Sequence, residues 1–149
     1  MPDPAPAIAV VVAARNEADR VGETLGALRS AMPGAALWVA DDASTDGTAE
    51  AAMAAGAQVV SRGRPHGKGA NVGAGAEAAL SADPAPELIL LCDGDLGASA
   101  AALVPLVDAV QGGGCDLAVA VIVAARNEAD RVGETLLALR GAMPGAALW

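Results

Sequence analysis

Two aspartates, Asp93 and Asp95, stand on either side of Gly94 directly after the short apolar run 88–92. A run of this length without polar alternation is typical of a strand that is buried on both faces of a parallel sheet. Ligands of open α/β sheets bind beyond the carboxyl ends of the strands, so both carboxylates are expected where a ligand binds. Two carboxylates about 5 Å apart repel by about 3 kcal/mol at an effective dielectric near 20, which favours a hard cation or a sugar hydroxyl as their partner. A turn whose aspartates cap the next helix is the alternative.

Two other apolar runs also end in polar side chains. The first run is followed by Asn16 and Glu17, and the second by Asp41 and Asp42. Because the carboxyl ends of parallel strands meet at one edge of a sheet, these side chains are expected near the two aspartates of the Asp-Gly-Asp sequence.

The loop 62–69 is basic and rich in glycine. Within residues 1–120 there are six basic side chains, and three of them lie in this loop, namely Arg62, Arg64 and Lys68. Glycines let backbone N–H groups approach phosphate oxygens, and a lysine supplies a mobile positive charge, so the loop suits a polyanion. A solvated loop with incidental charge is the alternative. His66, the one histidine of the chain, is expected to be solvent-exposed rather than catalytic.

Strands and helices that alternate along the chain must position these groups. We predict strands at 8–13, 36–40, 58–61, 87–92 and 116–120. The first predicted helix is capped by Asn16 and has Asp19 at its third position. A short Ala-rich helix ending at Gly56 and a helix over 70–80 follow. The last predicted helix covers 100–110, is capped by Ser99, and is kinked or restarted at Pro105. The alternation predicts an α/β fold with right-handed parallel crossovers.

The composition limits the possible classes of protein. The chain of 149 residues has room for one ordinary domain, and its 54% hydrophobic content includes no Phe or Tyr, so Ala, Val, Leu and Ile must form the core. A formal charge of −9 argues against a nucleic-acid binder. No apolar run approaches the roughly 20 residues of a spanning helix, and the Pro-rich start does not resemble a signal peptide. We therefore expect a cytoplasmic protein without a transmembrane segment.

The end of the chain repeats its beginning. Residues 121–149 match residues 10–38 at all but three of 29 positions, and the exceptions are Val11/Ile122, Gly26/Leu137 and Ser30/Gly141. A sheet has one position for the strand and helix that each copy encodes, so the copies must compete. We hypothesise that the second copy pairs with another chain and exchanges an element to form a homodimer. The alternative is an extra strand and helix at the edge of the sheet.

Four motifs, in this order, resemble the nucleotide-binding half of family 2 glycosyltransferases with the GT-A fold. They are Val12-Ala13-Ala14-Arg15-Asn16-Glu17, Val39-Ala40-Asp41-Asp42 with Ala43-Ser44-Thr45-Asp46-Gly47-Thr48, Gly67-Lys68-Gly69, and Asp93-Gly94-Asp95-Leu96. The last motif particularly resembles the polyprenyl-phosphate sugar transferases and glucosyl-phosphoglycerate synthases. The resemblance covers residues 7–120 and implies a Rossmann-like three-layer sandwich with a mostly parallel sheet flanked by helices.

The resemblance also implies a role for each site residue. Metal-assisted transfer of a sugar from a UDP- or GDP-sugar is the implied reaction, with Mg²⁺ or Mn²⁺ as cofactor. The implied roles are Ala13 and Glu17 lining the base pocket, Asp42 contacting the base, Lys68 facing the base or the diphosphate, Asp93 holding the ribose or sugar, and Asp95 ligating the metal. Asn127 and Glu128 repeat Asn16 and Glu17, so either copy of the segment could supply that turn.

Members of the family continue into an acceptor-binding half that carries the general base of inverting enzymes. Here the repeated segment follows, so we expect a donor-binding domain at 1–120 and the near-duplicate at 121–149. Two functions follow from this division: a glycosyltransferase or its donor-binding core, and an inactive nucleotide-binding or domain-swapped module. A Mg²⁺-dependent phosphoacceptor domain ranks last because the Ser/Thr-ended and Lys-ended strands of such sites are missing.

Overall fold

The computed structural model describes residues 7–118. Residues 7–107 form one compact unit, and the described residues 108–118 belong to a second. The elements in chain order are β1 (Ile8–Ala14), α1 (Val21–Ala31), β2 (Ala36–Asp41), α2 (Thr48–Ala54), β3 (Gln58–Ser61), α3 (Lys68–Leu80), β4 (Leu88–Asp93), a 3₁₀ helix (Gly97–Leu103) and α4 (Val104–Gln111). None of the helices in this part of the chain is long and apolar enough to cross a membrane.

The four strands form one sheet in the order β3-β2-β1-β4, and every neighbouring pair is parallel. The chain moves from β1 outward to β2 and β3, then returns across the sheet to place β4 on the other side of β1. The direction of progression therefore reverses between β1 and β4, which creates the kind of crevice where open α/β sheets bind ligands. The register aligns Ala13 with Asp93 and Ala14 with Asp41 at the carboxyl edge.

Helices cover both faces of the sheet. One core joins α1, α2, the 3₁₀ helix and α4 to the face of β1 that carries Val10 and Val12. The other core joins α3 to the face that carries Val11, Trp38 and Ala40. These three layers confirm the predicted α/β fold. The β-branched run of β1 lies at the centre, where each fully buried valine contributes about 1.5–3 kcal/mol.

Gly75 explains how a glycine-containing helix packs so close to the sheet. A Cβ at this position would lie 2.7 Å from Val11 Cγ1 and 3.0 Å from Ala40 Cβ, whereas Gly73 faces open space. The missing side chain lets α3 approach β1 and β2. On the same face, Trp38 is 9% exposed and its indole Nε1 has no hydrogen-bond partner among the described residues.

Several sequence predictions differ from the structure near the ends of elements. Helix α1 begins at Val21, so Asn16 does not cap it and Asp19 is not its third residue, although Val21, Leu25 and Leu28 are buried on one face as expected. Asn16 instead has a φ of 55° and bonds to the loop after β2. The turn between β1 and α1 is therefore longer than the capping pattern indicated.

The predicted helix 100–110 is also different. It consists of the 3₁₀ helix followed by α4, with Pro105 in the first turn of α4, where a missing N–H costs little. Ser99 lies inside the 3₁₀ helix and its hydroxyl donates to the Leu96 carbonyl, so it caps nothing. Of the two possibilities at Pro105, a kink or the start of a second helical segment, the structure shows the second.

Strand β4 is not buried on both faces as predicted, because Leu91 is 52% exposed. Among the described residues β4 pairs only with β1, and α3 packs over β1 and β2. For the predicted strand 116–120, residues 116–118 are not in a strand, and the rest of it lies outside the described residues. The repeated segment 121–149, with its Asn127 and Glu128, also lies outside them.

Candidate functional site

The turn after β4 brings the Asp-Gly-Asp sequence against the end of β1. Gly94 N–H donates to the Ala13 carbonyl at 2.8 Å, and a Cβ on Gly94 would lie 3.1 Å from that same oxygen and 3.2 Å from Ala14 Cβ. The absence of a side chain at Gly94 thus allows the turn to approach β1 without crowding. Asp93 and Asp95 consequently lie at the crevice between β1 and β4.

Each of these two carboxylates faces a positively charged side chain. Lys68 Nζ lies 2.5 Å from Asp93 Oδ1, and Arg20 Nη1 lies 3.8 Å from Asp95 Oδ2. The cations offset the repulsion that two neighbouring carboxylates produce. All four side chains are between 39% and 66% exposed, and ion pairs at such exposure contribute only about 0–1 kcal/mol, so a ligand can exchange them at little cost.

The Asp42 side chain holds the basic loop through hydrogen bonds to the main chain of that loop. The carboxylate is buried, its Oδ1 accepts a hydrogen bond from His66 N–H at 2.8 Å, and its Oδ2 accepts one from Gly67 N–H at 3.1 Å. The His66 N–H is the main reason that the pKa of Asp42 lies below its ordinary value, against the opposing effect of burial. Thus His66 contributes through its main chain, and its side chain is exposed as predicted.

Side-chain hydrogen bonds tie the turn after β1 to the turn after β2. Asn16 Oδ1 accepts from Thr45 N–H at 2.9 Å, and Thr48 Oγ1 accepts from Glu17 N–H at 2.9 Å. Asp46 accepts from the Thr48 hydroxyl, which is the main cause of its lowered pKa. These contacts fix Glu17 relative to the loop that carries Asp42.

Asp41 does not share the surroundings of Asp42. Its Oδ1 accepts from Ser44 N–H at 3.2 Å and its Oδ2 accepts from the Ser61 hydroxyl at 3.1 Å. It lines a separate cavity of about 560 Å³ that also includes Arg15 and Arg62. The internal hydrogen bonds indicate that Asp41 holds β2, β3 and the intervening turn together.

The side chains at the carboxyl edge enclose a cavity of about 330 Å³, within the usual size range of ligand pockets. We call it the strand-end cavity, and it is lined by Ala13, Ala14, Arg15, Glu17, Asp42, Gly67, Lys68, Asn71, Asp93, Gly94 and Asp95. All six site residues predicted from the sequence are therefore brought together. Their individual roles remain predictions.

Asn71 is a lining residue that sequence reasoning missed. It lies on α3, is 1% exposed, and donates from Nδ2 to the Ala40 carbonyl at 2.5 Å, whereas its Oδ1 has no partner among the described residues. Its only signal in the sequence is a polar side chain within a helix of mostly Ala and Gly.

The donor atoms of the cavity suit a hard divalent cation that arrives with phosphate. Within residues 7–118, no group of three or more His, Cys, Asp or Glu side chains could hold a metal by itself. Mg²⁺ is usually bound through one or two carboxylates together with substrate phosphates. Asp93 and Asp95 supply such carboxylates, and Lys68 supplies positive charge beside them. Cys92 is not a ligand candidate, because burial and then the neighbouring Asp93 raise the pKa of its thiol to about 12.

A family model described as "Glycosyl transferase family 2" matches residues 9–137. Similar solved structures include glucosyl-3-phosphoglycerate synthase from Mycobacterium tuberculosis in complex with UDP, at 28% identity and a TM-score of 0.67 over 96% of this chain and 53% of that one. The same synthase with Mn²⁺, UDP and glucosyl-3-phosphoglycerate matches at 28% identity and a TM-score of 0.58 over 70% of this chain and 39% of that one.

A third structure of that synthase, with Mn²⁺, UDP-glucose and phosphoglyceric acid, matches at 29% identity and a TM-score of 0.60 over 72% of this chain and 40% of that one. The chain thus spans about two fifths to about half of the length of these synthases. No curated protein matches the chain.

Proposed function

Because the chain belongs to glycosyltransferase family 2, we propose that the strand-end cavity binds the nucleoside diphosphate of a UDP- or GDP-sugar and that the protein transfers the sugar. The observation that carries the proposal is the meeting of Asp42, Lys68, Asp93 and Asp95 in one cavity. The ends of two strands, β2 and β4, and the start of α3 contribute these groups, a combination that a solvated turn does not require.

The charge pattern of the cavity supports a diphosphate ligand. Lys68 leaves Asp93 and binds a phosphate oxygen, and Asp93 is then free to accept hydrogen bonds from ribose or sugar hydroxyls. Asp95 would hold the metal. When bound, Mg²⁺ or Mn²⁺ offsets the charge that develops on the departing diphosphate. The M. tuberculosis synthase structures with Mn²⁺ and UDP support this choice of ligands.

The base is expected in the same cavity as the diphosphate. Ala13 and Glu17 line the same cavity and are proposed to hold the base, with Asp42 in contact with it. The carboxylate of Asp42 can accept a further hydrogen bond, because each of its oxygens has two acceptor positions and one is used by the basic loop.

Isothermal titration calorimetry with UDP and GDP, with and without Mn²⁺, tests the proposal. We expect Mn²⁺ to increase the affinity for one of the two diphosphates, and Asp95→Asn to abolish that increase. Glu77→Gln, which removes an exposed carboxylate at the far end of α3, is the matched control and should bind as wild type. If neither nucleotide binds under any condition, the proposed function is wrong.

A binding or assembly module is the second candidate function. The observation that favours it is the near-identical repeat, since residues 121–149 encode the same strand and helix as residues 10–38. We propose that the second copy takes the place of β1 and α1 in another chain, which gives a homodimer. Release of UDP from a UDP-sugar, with the sugar recovered on an added acceptor, would favour the enzyme over an inactive module.

A further inference from the structure

Thr24 is a buried polar residue of α1 that contacts the turn after β4. Its side chain is fully buried, its hydroxyl donates to the Gly94 carbonyl at 2.8 Å, and it accepts from Gly97 N–H at 2.8 Å. A hydroxyl can donate and accept at the same time, so one side chain satisfies both backbone groups. These two groups flank Asp95 on its two sides.

Within residues 7–118, few contacts of the Asp95 side chain fix its position. Its side chain is 46% exposed, and its ion pair with Arg20 spans 3.8 Å. The carboxylate is therefore oriented mainly by the backbone that carries it. That backbone is held at Gly94 by β1 and Thr24, and at Gly97 by Thr24.

Gly97 provides a second contact between α1 and the turn after β4. Gly97 has a φ of 54°, in the left-handed region, and a Cβ there would lie 3.1 Å from Glu23 Oε2. Helix α1 thus contacts the turn through two successive residues, with Glu23 against Gly97 and Thr24 bonded to Gly94 and Gly97. Glycine adopts this φ without strain, so the contacts with α1 place the turn and do not have to oppose backbone strain.

We propose that Thr24 is a positioning residue that sets the place of the Asp95 carboxylate for the metal-bound diphosphate. The proposal rests on the function proposed above and adds a residue that does not line the strand-end cavity. Hydrogen-bond partners behind a ligand commonly change metal affinity by about 10-fold to 100-fold when they are lost. Thr24 acts in this way through the main chain and not through the carboxylate itself.

The test compares wild type, Thr24→Val, Thr24→Ser and Ser30→Ala. Valine keeps the shape of threonine without the hydroxyl, whereas serine keeps the hydroxyl. Ser30 is also on α1, but its hydroxyl donates to Gly26 within the same helix. We expect Thr24→Val to weaken Mn²⁺-dependent UDP binding about tenfold, Thr24→Ser to restore it, and Ser30→Ala to match wild type. Metal-free UDP binding should be the same in all four.

Amide hydrogen exchange of Gly97, followed by NMR without any ligand, is the second measurement. We expect slow exchange in wild type and Thr24→Ser, and faster exchange in Thr24→Val. Fast exchange of Gly97 in wild type would overturn the proposal without any variant. If Thr24→Val does not fold, Thr24→Ala replaces it, with the same expectations.

The outcomes separate this proposal from the proposed function. If wild type binds UDP with Mn²⁺ and the valine variant binds equally well, the role of Thr24 is wrong and the proposed function stands. An equal loss of metal-free UDP binding would likewise overturn positioning, since it indicates general damage. If wild type binds no nucleotide, both are wrong.

Discussion

Asp42 is held by backbone N–H groups, whereas Asp93 and Asp95 face side-chain cations. Asp42 therefore holds a loop in place, whereas Asp93 and Asp95 can exchange their cationic partners for a ligand. A ligand that displaces Lys68 or Arg20 breaks an exposed ion pair. A ligand that displaced Asp42 would leave two N–H groups without acceptors, so Asp42 is expected to keep its loop contacts in every state.

The pH dependence of stability follows from Asp42 and Asp46. The pKa of each lies below its ordinary value, for Asp42 mainly because of the His66 N–H and for Asp46 mainly because of the Thr48 hydroxyl. A depressed folded-state pKa contributes stability that is complete above the unfolded pKa of about 3.9 and is lost as the pH falls through the folded pKa. We expect the free energy of unfolding, measured with urea, to decrease below about pH 4.

Asp42→Asn isolates the contribution of that carboxylate. The amide does not titrate, so the decrease below about pH 4 should be smaller than in wild type. Glu77→Gln controls for the change in net charge. A decrease as steep in Asp42→Asn as in wild type would contradict the contribution assigned to Asp42.

The residues that sequence reasoning recovered are those that follow strand ends in a recognisable order. Asp42 and Asp95 belong to that group, and Lys68 was recovered from the glycine-rich basic loop before α3. Thr24 and Asn71 were missed because their contacts join positions far apart in sequence, Thr24 with Gly94 and Asn71 with Ala40. Asn16 was misassigned because its amide can either cap a helix or bond to a neighbouring loop, and local sequence does not distinguish these partners.

Among the elements, helix α3 contains one glycine that faces open space, Gly73, and one that packs against the sheet, Gly75. Gly73→Ala adds a methyl group in open space and should stabilise the protein by about 0.5–1 kcal/mol, because alanine favours the helix. Gly75→Ala places a methyl group against Val11 and Ala40 and should destabilise it by about 1–3 kcal/mol through overpacking. Urea denaturation of the two variants measures both changes, and equal effects of the same sign would refute the packing of α3.

The strands and the order of elements could be predicted from the sequence because β-branched runs and glycine-containing turns mark them locally. The ends of α1 and the split between the 3₁₀ helix and α4 could not. Both depend on tertiary contacts, such as the hydrogen bond that Gly97 N–H, at the start of the 3₁₀ helix, donates to the Thr24 hydroxyl of α1. The exposure of Leu91 also depends on which strands α3 covers, which the apolar run 88–92 does not reveal.

For the whole molecule, the proposed exchange predicts an assembly of two chains. Light scattering after size-exclusion chromatography should give about twice the chain mass of 14.4 kDa. A mass of one chain at the highest concentration would exclude exchange and favour packing of the second copy on its own chain. The same measurement bears on the proposed division of the chain into a domain at 1–120 and a repeated segment at 121–149. A segment that is exchanged between chains must leave the domain that precedes it.

Trp38 lies on β2 and packs beneath α3, the helix that starts with Lys68. Asp42 follows four positions later, directly after β2. The chain has two tryptophans and no tyrosine, so indole is the sole source of its near-ultraviolet emission. With Trp149 replaced by phenylalanine, the remaining fluorophore reports on the layer between α3 and the sheet. The proposed nucleotide binding can therefore be tested by tryptophan fluorescence without an attached dye.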